Sequence, residues 1–426
     1  MEPTMPERIY VVGHGAITCL GLDMDETWRG LIAGKSGLRR QPTLGRDQFL
    51  QDVAGVVDDL AAVSRTEDRE LTRLSARFLT LSMAAARAAW ADAGLDRLGD
   101  RIDADRAAVV VGSAFGGLDF LEAQQARARK RQDLSVSPFL VPGLLINQAG
   151  GQISQQLKLY GPGMAPANAC ASGGHAIIFG AMLLKAGDAD LALCGAGESA
   201  FMPAIVNGFY TMKALFGGKA GDRSENDPSA ASRPFSRDRS GFVMSEGAGM
   251  IALATASAVE RLGLKPQAEL LGYALNSDGS HMTMPNQERI TRCVGQALRN
   301  AGVQPDSVDY YNAHGTSTQA NDATETKVLK EVFGDRAGKL LVSSIKGALG
   351  HSLGAASAIE AAACVRVLND QVVPPTINYL ADPELDLDYV PNQAREARVR
   401  TILSASFGFG GTNNVLVFGR ADRSGS

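Results

Sequence analysis

The chain predicts an α/β fold whose sheet is largely parallel and buried on both faces, built from one α/β unit used twice. Three observations carry this. First, runs such as Ile9-Tyr10-Val11-Val12-Gly13, Ala107-Ala108-Val109-Val110-Val111 and Leu191-Ala192-Leu193-Cys194-Gly195 are apolar at successive positions, as strands covered on both faces read. Second, these runs alternate with helical stretches, the pattern of a layered α/β core. Third, a half-repeat is visible. A helix ending Ala91-Asp92-Ala93-Gly94-Leu95 leads through Asp105 to the strand before Gly112-Ser113. A helix ending Arg299-Asn300-Ala301-Gly302-Val303 leads through Asp309 to Tyr310-Tyr311-Asn312-Ala313-His314-Gly315. We divide the chain into residues 1–258 and 259–426, with the active centre between the halves.

In chain order, the strand ending at Gly13 is followed by Gly13-x-Gly15. A dinucleotide fingerprint needs its third glycine at position 18, where Thr18 stands, so no nucleotide site is expected. Helices are expected over 25–33, 71–93 with Gly94 as the stop, 120–132 and 144–157. The third turns strongly basic through Arg127, Arg129, Lys130 and Arg131, either a solvated face or a docking site for an acidic partner. The polar stretch 219–232 reads as an exposed loop. Strands are expected within 241–256, 268–276 and 340–344, helices over 324–333 and 354–368, and two closing strands around the turn Phe407-Gly408-Phe409-Gly410-Gly411-Thr412-Asn413.

Bulk properties exclude whole classes. At 45% hydrophobic and 21% charged, the 426 residues have ordinary globular composition, and a net charge of −4 argues against an electrostatic nucleic-acid binder. The five cysteines, Cys19, Cys170, Cys194, Cys293 and Cys364, are odd in number and contain no C-x-x-C pair, which disfavours a disulfide framework or a structural zinc site. A reducing cytoplasm is the natural setting. No uncharged apolar run reaches the roughly eighteen residues that span a bilayer, and no signal-peptide pattern opens the chain.

One stretch concentrates the chemistry. In Asn168-Ala169-Cys170-Ala171-Ser172-Gly173-Gly174 a thiol lies between small residues at the start of an apolar helix. That placement is expected to lower the thiol pKa and to offer N–H groups to an oxyanion, although a buried structural cysteine fits the local pattern as well. Of five histidines, two lie in glycine-rich contexts at strand ends: His314 in Asn312-Ala313-His314-Gly315-Thr316-Ser317-Thr318, and His351 in Lys346-Gly347-Ala348-Leu349-Gly350-His351. His14, His175 and His281 read as structural. Gly350-His351-Ser352-Leu353-Gly354 matches the G-x-S-x-G elbow, but no histidine follows His351, so a triad in the order Ser, acid, His does not close.

With these motifs in hand, the chain resembles the elongating β-ketoacyl-[acyl-carrier-protein] synthases of the thiolase-like fold over nearly its whole length. The resemblance implies a layered αβαβα core and a Cys-His-His triad, where the initiating class has Asn in place of one His. It implies that Cys170 takes the acyl chain, that the N–H groups of Cys170 and Phe409 form the oxyanion hole, and that His314 and His351 steady the enolate left by decarboxylation of malonyl-carrier protein. Lys346 and Glu325 match a structural pair near the triad. Thr283, Thr316 and Thr318 match phosphopantetheine contacts, Phe409 the gate, and Phe115, Phe209 and Leu140 the acyl pocket. Arg73, Arg77, Arg127, Lys130 and Lys213 stand where cations that dock an acidic acyl-carrier protein are expected. The resemblance implies a homodimer or a heterodimer with a related subunit, and no metal or organic cofactor. Three departures bear on the pathway: Ala-Cys-Ala-Ser-Gly at the nucleophile, Lys346-Gly347-Ala348 before His351, and an aromatic Phe115 at the pocket floor, which suggests a short, unsaturated or polyketide-like primer. A polyketide or aryl-polyene ketosynthase is the alternative. A non-catalytic chain-length subunit is disfavoured by the presence of Cys170, and a thiolase by the lack of a second cysteine over 407–413.

Overall fold

In the computed structural model, which describes residues 7–45, 47–63, 76–132, 134–217 and 222–422, ten strands join in one sheet. They are β1 Ile9–Ile17, β2 Ala107–Gly112, β3 Gly163–Met164, β4 Leu191–Glu198, β5 Gly247–Thr255, β6 Ala268–Ser277, β7 Tyr310–Asn312, β8 Leu341–Ser343, β9 Thr401–Gly408 and β10 Thr412–Gly419. Their order is β8-β7-β9-β10-β6-β1-β5-β4-β2-β3. Read outward from the centre, β1-β5-β4-β2-β3 and β6-β10-β9-β7-β8 are the same arrangement, each half placing its first strand innermost and its last strand next. Directions repeat too: β2 runs parallel to β3 and β4, and β7 runs parallel to β8 and β9, while β4–β5 and β9–β10 are antiparallel. The halves meet at β1–β6 through only the pairs Tyr10–Glu269 and Val11–Ala268. The sheet is therefore mixed, not largely parallel. Burial on both faces produces the same apolar runs whichever way a neighbour points.

Six helices matter here: α1 Arg77–Asp92, α2 Leu118–Arg131, α3 Ser172–Ala186, α4 Gln287–Ala301, α5 Gln319–Phe333 and α6 Ala356–Asp370. Alternation along β5 shows the layering. Ala248, Met250, Ala252 and Ala254 join the apolar cluster of α1, while Ile251 and Leu253 join that of α3 and α6. The central cluster draws on strands of both halves, and α4 and α5 cover the outer face of the second half. This gives the order α, β, α, β, α. The central helices approach closely because Gly173 has no side chain: a Cβ there would lie 2.7 Å from that of Ala358. Residues 169–186 are long and apolar enough to span a membrane, but most of that stretch is buried in this core.

Several boundaries shift for local reasons. The 144–157 helix begins at Gln148, because Leu145 is extended (ψ 130°) and separates it from the short helix Leu140–Leu144. Of the 71–93 helix, Arg77–Asp92 is observed and 71–75 falls outside the described residues, Arg73 with it. The 219–232 segment is exposed only in part where it is described, at Glu225, Asn226 and Asp227. Ser224, Ala230, Ala231 and Ser232 are buried, drawn in by the fully buried Arg233, whose Nη1 donates to Asp222 Oδ1 at 3.0 Å.

Candidate active site

Cys170 sits in the middle of the single turn Ala169–Ala171 that runs directly into α3. Ala169 adopts φ +48°, a left-handed conformation that a non-glycine residue holds only when its surroundings enforce it. Ser172 supplies part of that enforcement: its Oγ accepts from Asn168 N (2.9 Å) and donates to Ala169 O (2.7 Å). Asn414 on β10 supplies more, donating through Nδ2 to Ala171 O at 2.9 Å. His175 is structural as expected, with Nδ1 3.0 Å from Ala171 O and 3.0 Å from Asn414 Nδ2.

The thiol is buried, and that reverses the expected shift. Burial pushes Cys170 up to about 11, although the Lys346 charge and the N–H groups of Phe409 and Cys170 itself pull the other way. Loss of solvation outweighs the helix start. The group therefore rests as a protonated thiol near pH 7, and the Phe409 and Cys170 N–H groups favour its charged form.

His314 and His351 stand together. Their rings are 5.6 Å apart and nearly perpendicular, with Phe407 5.5 Å from His314 and Phe242 5.3 Å from His351. Both are buried, and both are held well below the ordinary imidazole range, first by burial and then by the Lys346 charge, His351 adding to the effect on His314. Both rings are therefore neutral near pH 7. Among the described residues, His314 Nδ1 and both ring nitrogens of His351 have no hydrogen-bond partner. Unpaired polar atoms this deep are costly unless a reacting molecule meets them.

The Lys346–Glu325 pairing is corrected. Lys346 pairs with Glu360 on α6 and donates to His314 O at 2.7 Å. Glu325 on α5 instead accepts the N–H groups of His314 (2.8 Å) and Gly315 (2.8 Å) and the hydroxyl of Tyr311 (3.1 Å). Burial lifts Glu325 to about 7 against those donors. Both residues thus hold the His314 loop, Lys346 through the loop's carbonyl and Glu325 through its N–H groups, and they form no salt bridge with each other. Glu360 escaped the sequence reading. Its signal was a lone acid in the otherwise uncharged, Ala-rich first three turns of α6.

Cys170, His314 and His351 line one cleft of about 480 Å³, together with Thr283, Thr316, Thr318, Lys213, Phe209 and Phe409. Thr316 and Thr318 share a 2.9 Å hydroxyl contact, and Thr318 caps α5. Phe209 is the hub of the wall, with Phe115 at 6.3 Å, Phe409 at 6.2 Å and Phe242 at 5.3 Å. Phe115 packs on the apolar cluster that contains Cys170. Leu140 does not: it packs against the α1 cluster, so it is not brought to the nucleophile. Arg127 and Lys130 are exposed near the end of α2, and Lys213 is exposed at the cleft with φ +60°. Arg77 is committed elsewhere. It forms an ion pair with the buried Glu246 and donates to Val57 O at 3.1 Å, so its charge is paired within the chain although its side chain is partly exposed.

Comparison with known proteins agrees with this geometry. Residues 6–258 match the family model "Beta-ketoacyl synthase, N-terminal domain" and residues 267–380 match "Beta-ketoacyl synthase, C-terminal domain". The chain is 37% identical over 417 residues to a 3-oxoacyl-[acyl-carrier-protein] synthase 2 of Coxiella burnetii, covering 97% of this chain and 98% of that one. It is 38% identical over 415 residues to its namesake in Synechocystis, with coverage of 97% and 98%. Among solved structures, a beta-ketoacyl synthase of Burkholderia phymatum superposes with TM-score 0.89 at 30% identity, covering 97% of this chain and all of that one. A type II polyketide ketosynthase, in complex with its acyl-carrier protein and bound to a hexaketide, superposes with TM-score 0.88 at 30% identity, covering 98% and 100%. With family models matched along most of the chain and relatives of 37–38% identity over nearly its whole length, this thiolase-like fold is that of a condensing acyltransferase, and the chain belongs to the beta-ketoacyl synthase family.

Proposed function

We propose that this protein elongates an acyl chain by decarboxylative Claisen condensation on carrier-protein thioesters. The observation that carries the proposal is the meeting, in one cleft, of the Cys170 thiol with two neutral imidazoles that leave His314 Nδ1 and both His351 ring nitrogens without a partner. In the first step Cys170 sulfur attacks the carbonyl of an acyl-carrier thioester. The new C–S bond replaces the old one, the thiol proton leaves with the carrier's sulfur, and the oxyanion rests on the Cys170 and Phe409 N–H groups. Malonyl-carrier protein then enters. Its C–C bond to the carboxylate breaks, carbon dioxide leaves, and the electron pair becomes an enolate that the His314 and His351 N–H groups stabilise. Each such donor contributes on the order of 3 kcal/mol in a dry site. The enolate carbon attacks the acyl-Cys170 carbonyl, and the thiolate leaves and recovers a proton. As written, the reaction needs no metal or organic cofactor. Lys346 and Glu325 act through the His314 loop, and Thr283, Thr316 and Thr318 contact the phosphopantetheine arm.

Arg127, Lys130 and Lys213 dock the acidic carrier protein. The working unit is a dimer. Val136, Val141, Leu145, Tyr160 and Met164 are exposed on the stretch that ends at β3, the open edge of the sheet, and a second copy or a related subunit covers them. The protein acts in the cytoplasm, where its carrier partner is made. A second reading, a specialised polyketide-type ketosynthase, is favoured by the ring of Phe115 against Phe209, which narrows the acyl wall. The test is reconstitution with acyl- and malonyl-carrier proteins, following carbon dioxide release. We expect condensation that Cys170→Ala abolishes. Condensation persisting in that variant contradicts the mechanism. A Phe115→Ala variant with unchanged primer preference removes the second reading.

A further inference from the structure

The duplication gives Cys170 a counterpart. In the second half the turn Leu353–Ala355 runs directly into α6, as Ala169–Ala171 runs into α3, and both central helices have 15 residues. Leu353 takes φ +48°, the value at Ala169. The middle residue is Cys170 in one turn and Gly354 in the other. At Gly354 a Cβ would lie 2.6 Å from Glu198 Oε2 and 2.6 Å from Ala114 N. A carboxylate therefore occupies the place where the counterpart of the nucleophile would hold its side chain.

That carboxylate ends β4 and is fully buried. It accepts Ala114 N at 2.5 Å, Phe115 N at 3.3 Å and the Ser113 hydroxyl at 2.9 Å, and its Oε2 stands against the backbone of Gly354, 2.6 Å from where a Cβ would lie. Its contacts thus reach two separate turns. One, 113–115, carries the Phe115 ring of the acyl wall. The other starts two residues after His351 and includes Leu353, which lines the cleft beside Cys170. Phe115 and Leu353, one from each turn, also pack in the apolar cluster that contains Cys170, and Glu198 lies near enough for its charge to act on the Cys170 thiol.

We infer that Glu198 is a positioning residue for the condensing site, clamping the acyl-wall turn at 113–115 to the turn that follows His351. The inference rests on the condensation reading above. Glu198→Gln keeps the volume but turns an amide NH₂ toward N–H groups that need an acceptor. Both turns then lose their common anchor while Cys170, His314 and His351 remain.

The test measures two quantities on the reconstituted system: kcat and KM with malonyl-carrier protein, and the ratio of Cys170 acylation rates from a short and a long saturated acyl-carrier protein. In Glu198→Gln we expect kcat to fall by about ten- to a hundredfold with KM within about threefold, the pattern of lost alignment, and the primer ratio to shift by about fivefold or more. Ser113→Ala removes one donor and shifts the ratio less, in the same direction; it decides the matter if Glu198→Gln does not fold. Glu246→Gln is the control for a general loss of stability, since Glu246 bonds Arg77, Ser199 and Val57 N and neither turn; it should leave the ratio unchanged. A wild-type ratio in Glu198→Gln, or in Ser113→Ala if the former is insoluble, overturns the inference, as does an equal shift in Glu246→Gln. A wild-type protein that does not condense overturns the reading beneath it and takes this inference with it.

Discussion

At the scale of single residues, the neutral histidines make the sharpest claims. His314→Ala and His351→Ala should each slow decarboxylation of malonyl-carrier protein by about 10²–10³, while acylation of Cys170 persists, as followed by carbon dioxide release and by mass. Their titration also marks stability. Both native rings stay neutral below pH 6.5, where the unfolded chain binds protons, so unfolding takes up protons and stability falls as pH drops from 6.5. His351→Gln removes one such site. Its stability should fall less steeply between pH 6.5 and 5, by up to about 1.4 kcal/mol per pH unit, in urea titrations at stepped pH. Glu198 and Glu325, lifted to about 7 by burial, work in the opposite direction between pH 4.5 and 7, but they are common to both proteins and cancel in the difference. Equal slopes would show that the His351 ring charges in the native state. The triad residues were legible in the sequence because cysteine and histidine are rare and stood in glycine-rich strand ends. The direction of the Cys170 shift was not, because burial is a property of the packed molecule while the helix start is local.

At the scale of elements, helix and strand identity could be read from periodicity, but partnership could not. Lys346 and Glu360 lie 14 residues apart on different helices, and only the folding of α6 against the His314 loop brings them together. Lys346→Met should cost about 3–5 kcal/mol, because it strands a buried carboxylate, and the double variant Lys346→Met/Glu360→Leu should recover part of that loss. Denaturant unfolding of both proteins checks this; a single variant as stable as wild type would mean that the pair contributes nothing. The close crossing of α3 and α6 makes a second prediction. Gly173→Val drives a side chain into Ala358 and should cost about 1–3 kcal/mol or more through overpacking. It should also slow Cys170 acylation, since the cysteine turn runs directly into α3. A fully active, equally stable variant would show that the crossing is slack.

At the scale of the whole molecule, the half-repeat seen faintly in the sequence corresponds to matching strand orders on either side of β1–β6. The mixed strand directions were not legible, because apolar runs record burial and not polarity. Both halves contribute to the central cluster around α3 and α6, so neither buries its inner face alone. Calorimetry should show one unfolding transition, and residues 1–258 expressed alone should not fold; two separated transitions would contradict a shared core. The same arrangement brings Cys170 from one half to His314 and His351 from the other. That meeting is tested most directly by intact-mass measurement after incubation with a panel of acyl-carrier proteins. The account predicts a single acyl adduct on the wild type, located at Cys170, absent from Cys170→Ala and discharged as β-ketoacyl product when malonyl-carrier protein is added. An adduct elsewhere on the chain, or one that malonyl-carrier protein leaves in place, would contradict it.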